Sequence, residues 1–535
     1  MQCNDRERTT PANEPRQATD WSLLISLAIF LIAVLSMWWA IHNRTGEISY
    51  TVDDSYIHGT LSKNLSDHGS FGIVPGEFSA ASSSPLWTVL LAIVFLVTGP
   101  QTWVMAGMAT LFGALTIERA NALMKSLRVG PVERVIVILA ALIYAPMLPI
   151  ISTGMEHTLH TWTMMGLFAC LVGVSRGVTK PGVLFMWAVL AAGARYESLF
   201  VLPPLLIWLA LRRKWRSAIE LGIGMAVPVV GFAIYSVLHG GYVLPNSLML
   251  KGNFGTAFKI KAFKVMMENQ YMAVLVGLLI LATIIGFLNR KRSGENLTWL
   301  TISVLMTILI HLQLAQLGWF YRYEGYLIIL GLIAAATMLP AVRDWLRGRP
   351  LALAMPVYIL LAFATLPLAW RARKANPEIV QAAGNIHDQQ VQMAMVTRHL
   401  GKDARVAVND LGAVSFLTDA RVLDLYGLGD NSLARAKVDR VYGSAKIQSR
   451  LEETRTDFVI CYPSWFTGPQ KLPETLIPVE TWYLDNNLIC GGEKVVFYAT
   501  SPQAALKMGT ALNAYRAEHK INPLSTNRMM VVDSM

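Results

Sequence analysis

The chain has 535 residues, of which 54% are hydrophobic and 15% are charged, and its mean hydropathy is +0.43. This composition excludes an ordinary soluble globular protein, because the apolar residues form runs of about 15–23 that are separated by short charged loops, as in helices that cross a bilayer. The net charge of +11 does not indicate a nucleic-acid partner, since the basic residues lie between apolar runs, where they set membrane topology.

The first elements predict a tail, an anchor and an outer loop. Residues 1–20 are polar and predict a cytoplasmic tail, and residues 21–41 predict a retained membrane helix. The outer loop, residues 43–100, contains the adjacent Asp53 and Asp54, and we expect Asp53 to face solvent there. Residues 86–97 are too few to cross a bilayer, so we expect an interfacial or re-entrant helix.

Ten further spans follow, which gives about eleven crossings in the membrane domain, residues 21–370. The spans are predicted at residues 101–124, 133–153, 157–175, 181–195, 198–211, 217–238, 270–288, 297–317, 323–340 and 351–370. This count places every loop cluster of Lys and Arg on the cytoplasmic side. It places five candidate residues at the outer face, namely Asp53, Glu156, Arg195, Lys251 and Arg322.

The composition after residue 370 predicts a small α/β domain over residues 371–500. Residues 404–409, 422–425 and 457–462 predict buried strands, residues 377–401 predict helix, and residues 501–535 predict a helix and a tail. The predicted fold is therefore an α-helical polytopic membrane protein with a C-terminal extracytoplasmic α/β domain. A disulfide between Cys461 and Cys490 is allowed in that compartment, but the sequence does not establish it.

The outer carboxylates support two interpretations. Asp53 and Asp54 suit either a solvated loop that caps a short helix or an active site at the membrane surface. Glu156, at the start of a span, suits either a favourable first-turn acid or a partner of these two residues. Three converging carboxylates could bind a divalent cation such as Mg²⁺, Mn²⁺ or Ca²⁺, or could share acid–base chemistry.

The outer basic residues also have two interpretations. Arg195 and Arg322 could snorkel to lipid headgroups, and Arg195 could simply pair with Glu197. Arg322 lies among aromatic residues at the depth of a lipid phosphate, and guanidinium groups suit phosphate oxygens. Lys251 lies in a basic outer loop that suits either an anionic lipid group or a solvated helix.

At this point the residues resemble the polytopic GT-C glycosyltransferases, most closely the bacterial arabinofuranosyltransferases of cell-wall assembly. The resemblance rests on motifs whose order and spacing extend over roughly 380 residues. They include residues 53–57 (DDSYI), Asn64-Leu65, 75–77 (PGE), 83–87 (SSPLW), 154–156 (GME), 195–197 (RYE), 244–246 (LPN) with Lys251, Arg322-Tyr323 and 409–430 (NDLGAVSFLTDARVLDLYGLGD). One departure is Thr60, where the family has an Arg.

The resemblance implies transfer of a sugar, with arabinofuranose as the best match, from a polyprenyl-phosphate donor to a glycan, glycolipid or protein outside the bacterial cytoplasmic membrane. It implies that Asp53 is the general base, that Asp54 and Glu156 assist it or hold a metal, and that the anomeric centre inverts. It also implies sets of residues for the donor phosphate (Arg322, Lys251, Arg195 and Tyr323) and for acceptor contact or loop structure (Tyr56, His58, Asn64 and Trp87).

Three alternatives stay open at this stage. The donor could carry mannose or another hexose instead of arabinofuranose. A transporter of lipid-linked sugars would place polar residues inside its spans, whereas the charges here gather at one face. A non-catalytic glycan receptor would not depend on Asp53.

Overall fold

The structure is a computed structural model that describes residues 20–251, 261–289, 295–347, 355–356, 359, 362–519 and 530–531. It has a helical N-terminal part and a C-terminal part with one sheet. The predicted tail over residues 1–20 lies outside the described residues except at its end. Residues 351–354, 357–358 and 360–361 of the predicted span over residues 351–370 also lie outside the described residues, as does most of the C-terminal tail after residue 519.

Six described helices are long and apolar enough to cross a membrane. They cover Trp21–Thr45, His157–Arg176, Trp215–Leu238, Gln270–Leu288, Leu297–Leu314 and Gly325–Leu346. The helical part also contains shorter or more polar helices, at Asp54–His68, Pro85–Thr98, Thr102–Ser126, Pro131–Tyr144, Met147–Ser152, Val183–Ala194, Leu202–Leu211, Asn246–Lys251 and Ala262–Glu268, and a 3₁₀ turn at Tyr196–Val201. The protein is therefore a multi-pass membrane protein.

Ion pairs join several helix ends at the basic end of the bundle. At the basic end, Asp20 lies 3.1 Å from both Lys125 and Arg134, and Arg343 lies 3.5 Å from Glu133. At the other end, the predicted outer residues meet the C-terminal domain. Ten of the eleven predicted crossings correspond to described helices, of which six are long and apolar enough to cross a membrane.

Two predicted spans are broken where we expected one helix. The span near 133–153 consists of Pro131–Tyr144 and Met147–Ser152, because Pro146 lacks the amide hydrogen that a continuous helix needs. The span near 323–340 consists of Gly325–Ala336 and Leu339–Leu346, with Pro340 in the first turn of the second piece.

The residues that flank both ends of the apolar helix Pro85–Thr98 contact the outer loop. Ser84 at its start lies next to Ser82, whose hydroxyl contacts His58 in the outer loop. Shortly after its end, Thr102 accepts a hydrogen bond from Tyr50 of the same loop. These contacts agree with the prediction that residues 86–97 do not form a crossing, which stays a prediction.

A long helix joins the two parts of the molecule. Leu366–Ile386 continues through residue 371, where we expected a domain boundary, into a π-helical turn at His387–Val391 and the helix Gln392–His399. Within the π turn, Asp388 pairs with Arg44 at the end of the first membrane helix, at 2.5 Å. The joint between the two parts is therefore continuous helix fixed by an ion pair.

The C-terminal sheet has six described strands in the order β2-β1-β3-β5-β4-β6. The strands are β1 Arg405–Val408, β2 Arg421–Asp424, β3 Phe458–Cys461, β4 Ile477–Tyr483, β5 Lys494–Ala499 and β6 Met530–Val531, and the helices of this part are Gly412–Leu417, Asn431–Val438, Ser444–Glu453 and Pro502–His519. β1 pairs in parallel with β2 and β3, and the remaining pairs are antiparallel. The sequence predicted β1 to β3, but not β4 or β5.

The outer loop and the sheet share one apolar core. Ile57, Leu61 and Phe71 of the loop pack in the same cluster as Val406 and Val414 of the sheet domain. The loop and the C-terminal domain therefore lie at the same end of the bundle. Cys461 and Cys490 are both buried free thiols, so the disulfide that the compartment allows is not formed.

Candidate active site

Asp53 is buried between the membrane bundle and the C-terminal domain, where we had expected a solvent-facing residue. It is 5% exposed and precedes the helix Asp54–His68. Its Oδ2 accepts a hydrogen bond from the backbone N–H of Gly412 at 2.5 Å, and its Oδ1 accepts one from Ala413 at 2.8 Å. The expectation of a solvated carboxylate was wrong because the loop folds under the C-terminal domain.

A second carboxyl group, Asp410, lies against Asp53. Burial raises the pKa of Asp53 to about 6, although hydrogen bonds from Ala413, Asp410 and Gly412 oppose the rise. Burial and the neighbouring Asp53 charge raise the pKa of Asp410 well above its usual value. Two carboxyl groups in contact cannot both ionise easily, so the pair shares a proton that Asp410 donates to Asp53.

Asp410 was not among the predicted site residues. It is held by Gln390, whose Nε2 donates to Oδ2 at 2.8 Å, and by the Tyr462 hydroxyl at 3.3 Å. The sequence signal was the segment 409–414 (NDLGAV), which belonged to the family resemblance, but no residue pattern connects it with Asp53.

The structure brings Asp54, Arg322, Tyr323 and Arg195 together. Arg322 Nη2 lies 2.5 Å from Asp54 Oδ2, and its Nη1 lies 2.7 Å from the sulfur of Met155. The guanidinium groups of Arg322 and Arg195 lie 5.3 and 5.8 Å from the centre of the Tyr323 ring. Arg322 is 2% exposed, so it stabilises the Asp54 carboxylate and the Tyr323 ring and does not face a lipid phosphate.

Arg195 and Glu156 form the second half of this network. Arg195 contacts Glu156, Glu197 at 2.6 Å, and His157 Nε2 at 3.0 Å. Glu156 is fully buried, and His58 Nε2 lies 3.3 Å from it. The predicted pairing of Arg195 with Glu197 is present, and snorkelling of Arg195 to the headgroups is excluded by its burial.

The two carboxylates proposed as metal ligands do not converge on a common point. Asp54 pairs with Arg322, while the oxygens of Glu156 contact Arg195 and His58. No group of three or more His, Cys, Asp and Glu side chains placed to hold a metal ion occurs in the described part of the chain. Because these carboxylates are already neutralised by arginines, the donor set does not fit a divalent cation, and the chemistry below uses none.

The candidate acceptor residues are placed as supports of the loop. Asn64 donates to the backbone carbonyls of Gly72 and Ile73 at 2.8 and 2.9 Å. Tyr56 and Trp87 are 1% and 0% exposed and belong to one apolar cluster, so they pack inside the protein and do not face an acceptor. Lys251 ends the helix Asn246–Lys251, and its side chain lies outside the described residues.

A cavity of about 1060 Å³ lies beside this network, between the membrane helices and the C-terminal domain. Its basic and aromatic lining includes Tyr271, Trp319, Phe320, Tyr321, Trp370, Arg371, Arg373 and Lys374. Arg371 pairs with Glu324 and lies 4.6 and 4.8 Å from the ring centres of Tyr271 and Tyr321. The cavity therefore offers cations framed by aromatic rings, which suits an anionic group.

Two cations of the cavity are accessible. Arg373 and Lys374 are exposed, and each lies 5.8 Å from the ring centre of Trp370. Trp370 and Leu366, which also line the cavity, are 60% and 53% exposed. The sequence did not single out these residues, because the predicted domain boundary at 371 separated them from the membrane part.

One wall of the cavity is a strained turn. Gly318, Trp319, Phe320 and Tyr321 have φ values of 85°, 42°, 59° and 65°. Three consecutive non-glycine residues in the left-handed region cost on the order of 1–3 kcal/mol each, and such strain concentrates at functional sites. The turn directs aromatic side chains into the cavity while Arg322, the next residue, is buried against Asp54.

The opposite wall connects the cavity with the carboxyl pair. Leu488, Ile489 and Cys490 of the C-terminal domain line the cavity. The pKa of the Cys490 thiol is raised well above its usual value by burial and by the nearby charges of Asp410 and Asp53. Cys490 also packs in one apolar cluster with Ala413, whose backbone N–H donates to Asp53, so this wall adjoins the segment that holds the carboxyl pair.

Comparisons with known proteins agree with the fold. The structure of ArnT from Cupriavidus metallidurans bound to undecaprenyl phosphate matches with a TM-score of 0.53 and 12% identity, covering 91% of this chain and 99% of that one. The apo structure of the same ArnT gives 0.50 and 12%, covering 89% and 98%. The Archaeoglobus fulgidus oligosaccharyltransferase, in complex with Zn and sulfate, gives 0.50 and 12%, covering 90% and 73%.

These neighbours have the GT-C fold, and so does this chain, with a small C-terminal sheet domain. A family model described as "Domain of unknown function (DUF8728)" matches residues 384–498, which include the π turn, Asp410 and Cys490. A comparison with curated proteins finds no match.

Proposed function

We propose that this protein is a membrane glycosyltransferase that transfers a sugar from a polyprenyl-phosphate donor to an acceptor outside the cytoplasmic membrane of a bacterium. The observation that carries the proposal is the cavity, which has two accessible cations and is lined by Cys490, a residue that packs in one cluster with Ala413, the backbone partner of Asp53. The GT-C fold supports it, because one neighbour was solved with undecaprenyl phosphate bound.

The donor phosphate is assigned to Arg373 and Lys374. Both are exposed in the cavity, whereas Arg322 and Arg195 are buried and already paired with carboxylates. Arg371, framed by two tyrosine rings, is paired with Glu324 and so leaves the phosphate to these two residues. This set replaces the Arg that the family has at Thr60, since Thr60 here only hydrogen-bonds to Tyr56 and Ser415.

Asp53 is the better candidate for the general base. Its pKa near 6 leaves it mostly ionised at neutral pH yet still a useful proton acceptor, while Asp54 is neutralised by Arg322. The acceptor hydroxyl attacks the anomeric carbon and gives its proton to Asp53. The bond from that carbon to the phosphate oxygen breaks, and polyprenyl phosphate leaves with the electron pair. A single displacement inverts the anomeric centre.

Arabinofuranose is the proposed sugar, on the strength of the motif resemblance, and mannose or another hexose is the alternative. A transporter of lipid-linked sugars is the second candidate function, because the cavity could accommodate a lipid headgroup without chemistry. The acceptor is a glycan, a glycolipid or a surface protein.

The test is to incubate the purified protein with a panel of polyprenyl-phosphate sugars and a mixture of acceptors, and to measure release of polyprenyl phosphate. Consumption of one donor supports the enzyme and names the sugar. Movement of donors across vesicle membranes without consumption would favour the transporter. Full activity after removal of metals with EDTA is expected, and its loss would show that a cation meets the phosphate.

A comparison of variants tests the assignment of the donor phosphate to Arg373 and Lys374. Arg373→Ala with Lys374→Ala should raise KM for the donor, because both side chains meet its phosphate. Lys471→Ala, which removes an exposed cation of the C-terminal domain, is the matched control and should leave KM unchanged. If Arg322→Ala instead raised KM while the cavity variants behaved like the control, the assignment to the cavity would be wrong.

A further inference from the structure

The C-terminal domain holds the carboxylate of Asp53 through a segment 359 residues away in the chain. Both oxygens of Asp53 accept backbone hydrogen bonds from this segment, and the carboxyl group of Asp410 contacts the same carboxylate. Asp53 belongs to the membrane part, but the groups that orient its carboxylate belong to the C-terminal domain.

The backbones of Gly412 and Asp53 lie too close together for a side chain at position 412. A Cβ atom on Gly412 would lie 2.1 Å from the backbone oxygen of Asp53 and 2.7 Å from its Oδ2, so a side chain at position 412 would push the two domains apart. Glycine is required here for close approach of two backbones.

Asp410 is itself fixed from a third direction. Gln390, in the π turn of the connecting helix, and Tyr462, after β3, both donate to its Oδ2. The Tyr462 hydroxyl has one hydrogen, whose shorter bond is to Gln389 Oε1 at 2.6 Å, so its contact with Asp410 at 3.3 Å is the weaker of the two. The charge of Asp54 raises the pKa of both Asp53 and Asp410, and the other titratable groups near the pair, Tyr56, Tyr462 and Cys490, are neutral because their own pKa values are raised.

We propose that Asp410 is a positioning residue, which donates a hydrogen bond to Asp53 and, with the N–H groups of Gly412 and Ala413, fixes the orientation of the Asp53 carboxylate. The C-terminal domain, which matches a family without an assigned function, is then a structural component of the active site. This inference rests on the proposed role of Asp53 as the base.

The test compares two variants of Asp410. Asp410→Asn keeps the size and keeps an N–H donor toward Asp53, so it should retain most of kcat. Asp410→Ala removes the donor, and misorientation of a reacting group should lower kcat by about 10–100-fold with KM for the donor within about twofold. Gly412→Ala should lower kcat in the same way.

Asp424→Asn is the matched control for damage to the domain. Asp424 is also a buried acid of this domain, 1% exposed, but its carboxylate accepts from Tyr426 and Gly429 and does not touch Asp53. It should leave kcat unchanged. Equal losses in Asp424→Asn and Asp410→Ala, wild-type kcat in Asp410→Ala, or a loss expressed in KM alone would each overturn the inference.

Unfolding measurements separate this inference from the proposed function. The melting temperatures of Asp53→Asn, Asp410→Ala and the double variant form a cycle that needs no activity, and contacting residues give non-additive shifts. If no donor is consumed but the cycle is non-additive, the proposed function fails and the link between the domains stands. An additive cycle would show that Asp410 does not act on Asp53.

Discussion

At the scale of single residues, the environment of Asp53 gives the same side chain two tasks. It accepts hydrogen bonds that join the domains, and it is the proposed proton acceptor. A hydrogen-bonded carboxylate is normally a weak base, but burial and the neighbouring charge of Asp54 outweigh the hydrogen bonds from Ala413, Asp410 and Gly412, and the pKa of Asp53 is about 6. Substitutions at this position should therefore affect both activity and stability.

Asp53→Asn should abolish most of the transfer, since loss of a general base typically lowers the rate by ~10²–10⁴. It should also destabilise the protein by about 1–3 kcal/mol, because an amide N–H₂ group cannot accept from Gly412 and Ala413. The measurements are kcat and thermal unfolding in detergent. Wild-type turnover would exclude Asp53 as the base.

The rate should depend on pH through the same group. Protonated Asp53 cannot accept a proton, so kcat/KM should fall as the pH drops through about 6 and level off above it. The fall in kcat/KM reports the titration of the Asp53–Asp410 pair, since the two carboxyl groups titrate together. A rate profile that is flat down to about pH 5 would contradict this prediction.

At the scale of elements, the turn before the helix His157–Arg176 carries Glu156 and packs closely against Tyr50. Gly154 in this turn has φ +61°, and a Cβ atom there would lie 2.3 Å from Cε1 of Tyr50. Tyr50 cannot move away easily, because its hydroxyl bonds to the backbone of Thr102 and Ala106.

Gly154→Ala should therefore lower the melting temperature more than Gly177→Ala does. Gly177 has φ +76° but no atom within 4 Å of its would-be Cβ, so its substitution carries only the backbone cost, of order 1 kcal/mol. The difference between the two variants isolates the contact with Tyr50, which we expect to add about 1–3 kcal/mol. Equal shifts would mean that Tyr50 relaxes.

Sequence patterns predicted some of the strands and helices and missed others, for physical reasons. β1 to β3 were found because they are short, buried apolar runs, whereas β4 contains Pro478 and the buried Glu480, which interrupt such a run. The membrane spans were predicted from hydropathy, but the breaks within them depend on local proline residues. The connecting helix was divided at residue 371 because its composition changes there, although its backbone stays helical.

At the scale of the whole molecule, the ends of the bundle differ in charge and in what they contact. The outer loop and the C-terminal domain share a core and must lie on one side, and the basic loops lie on the other. The positive-inside rule assigns the basic end to the cytoplasm.

Single cysteines introduced into a cysteine-free background should report this arrangement. His68→Cys and Lys471→Cys, both at exposed positions, should react with a membrane-impermeant reagent in intact cells, and Lys180→Cys should react only after permeabilisation. Reaction of Lys180→Cys in intact cells would reverse the orientation.

The candidate site was predictable to the extent that its residues lie in one motif or at one membrane face. Asp54, Glu156, Arg195 and Arg322 were found from parity of the spans and from the resemblance, and the structure does bring them together. The pairing of Arg195 with Glu197 was also predicted, but the pairs Arg195–Glu156 and Arg322–Asp54 were not, because they depend on how the chain folds. Arg373 and Asp410 were missed because only tertiary contact connects them with the other site residues.

The five-residue π turn at His387–Val391 determines how the C-terminal domain is rotated about the connecting helix relative to the membrane part. An α-helix advances about 100° and 1.5 Å per residue, so deleting one residue here would rotate the whole C-terminal domain by that angle about the helix axis. Asp388 and Gln390 could then no longer reach Arg44 on one side and Asp410 on the other at the same time. Grafting of this domain onto another membrane helix therefore requires the surplus residue to be kept, or the domain will present the wrong face to the bundle.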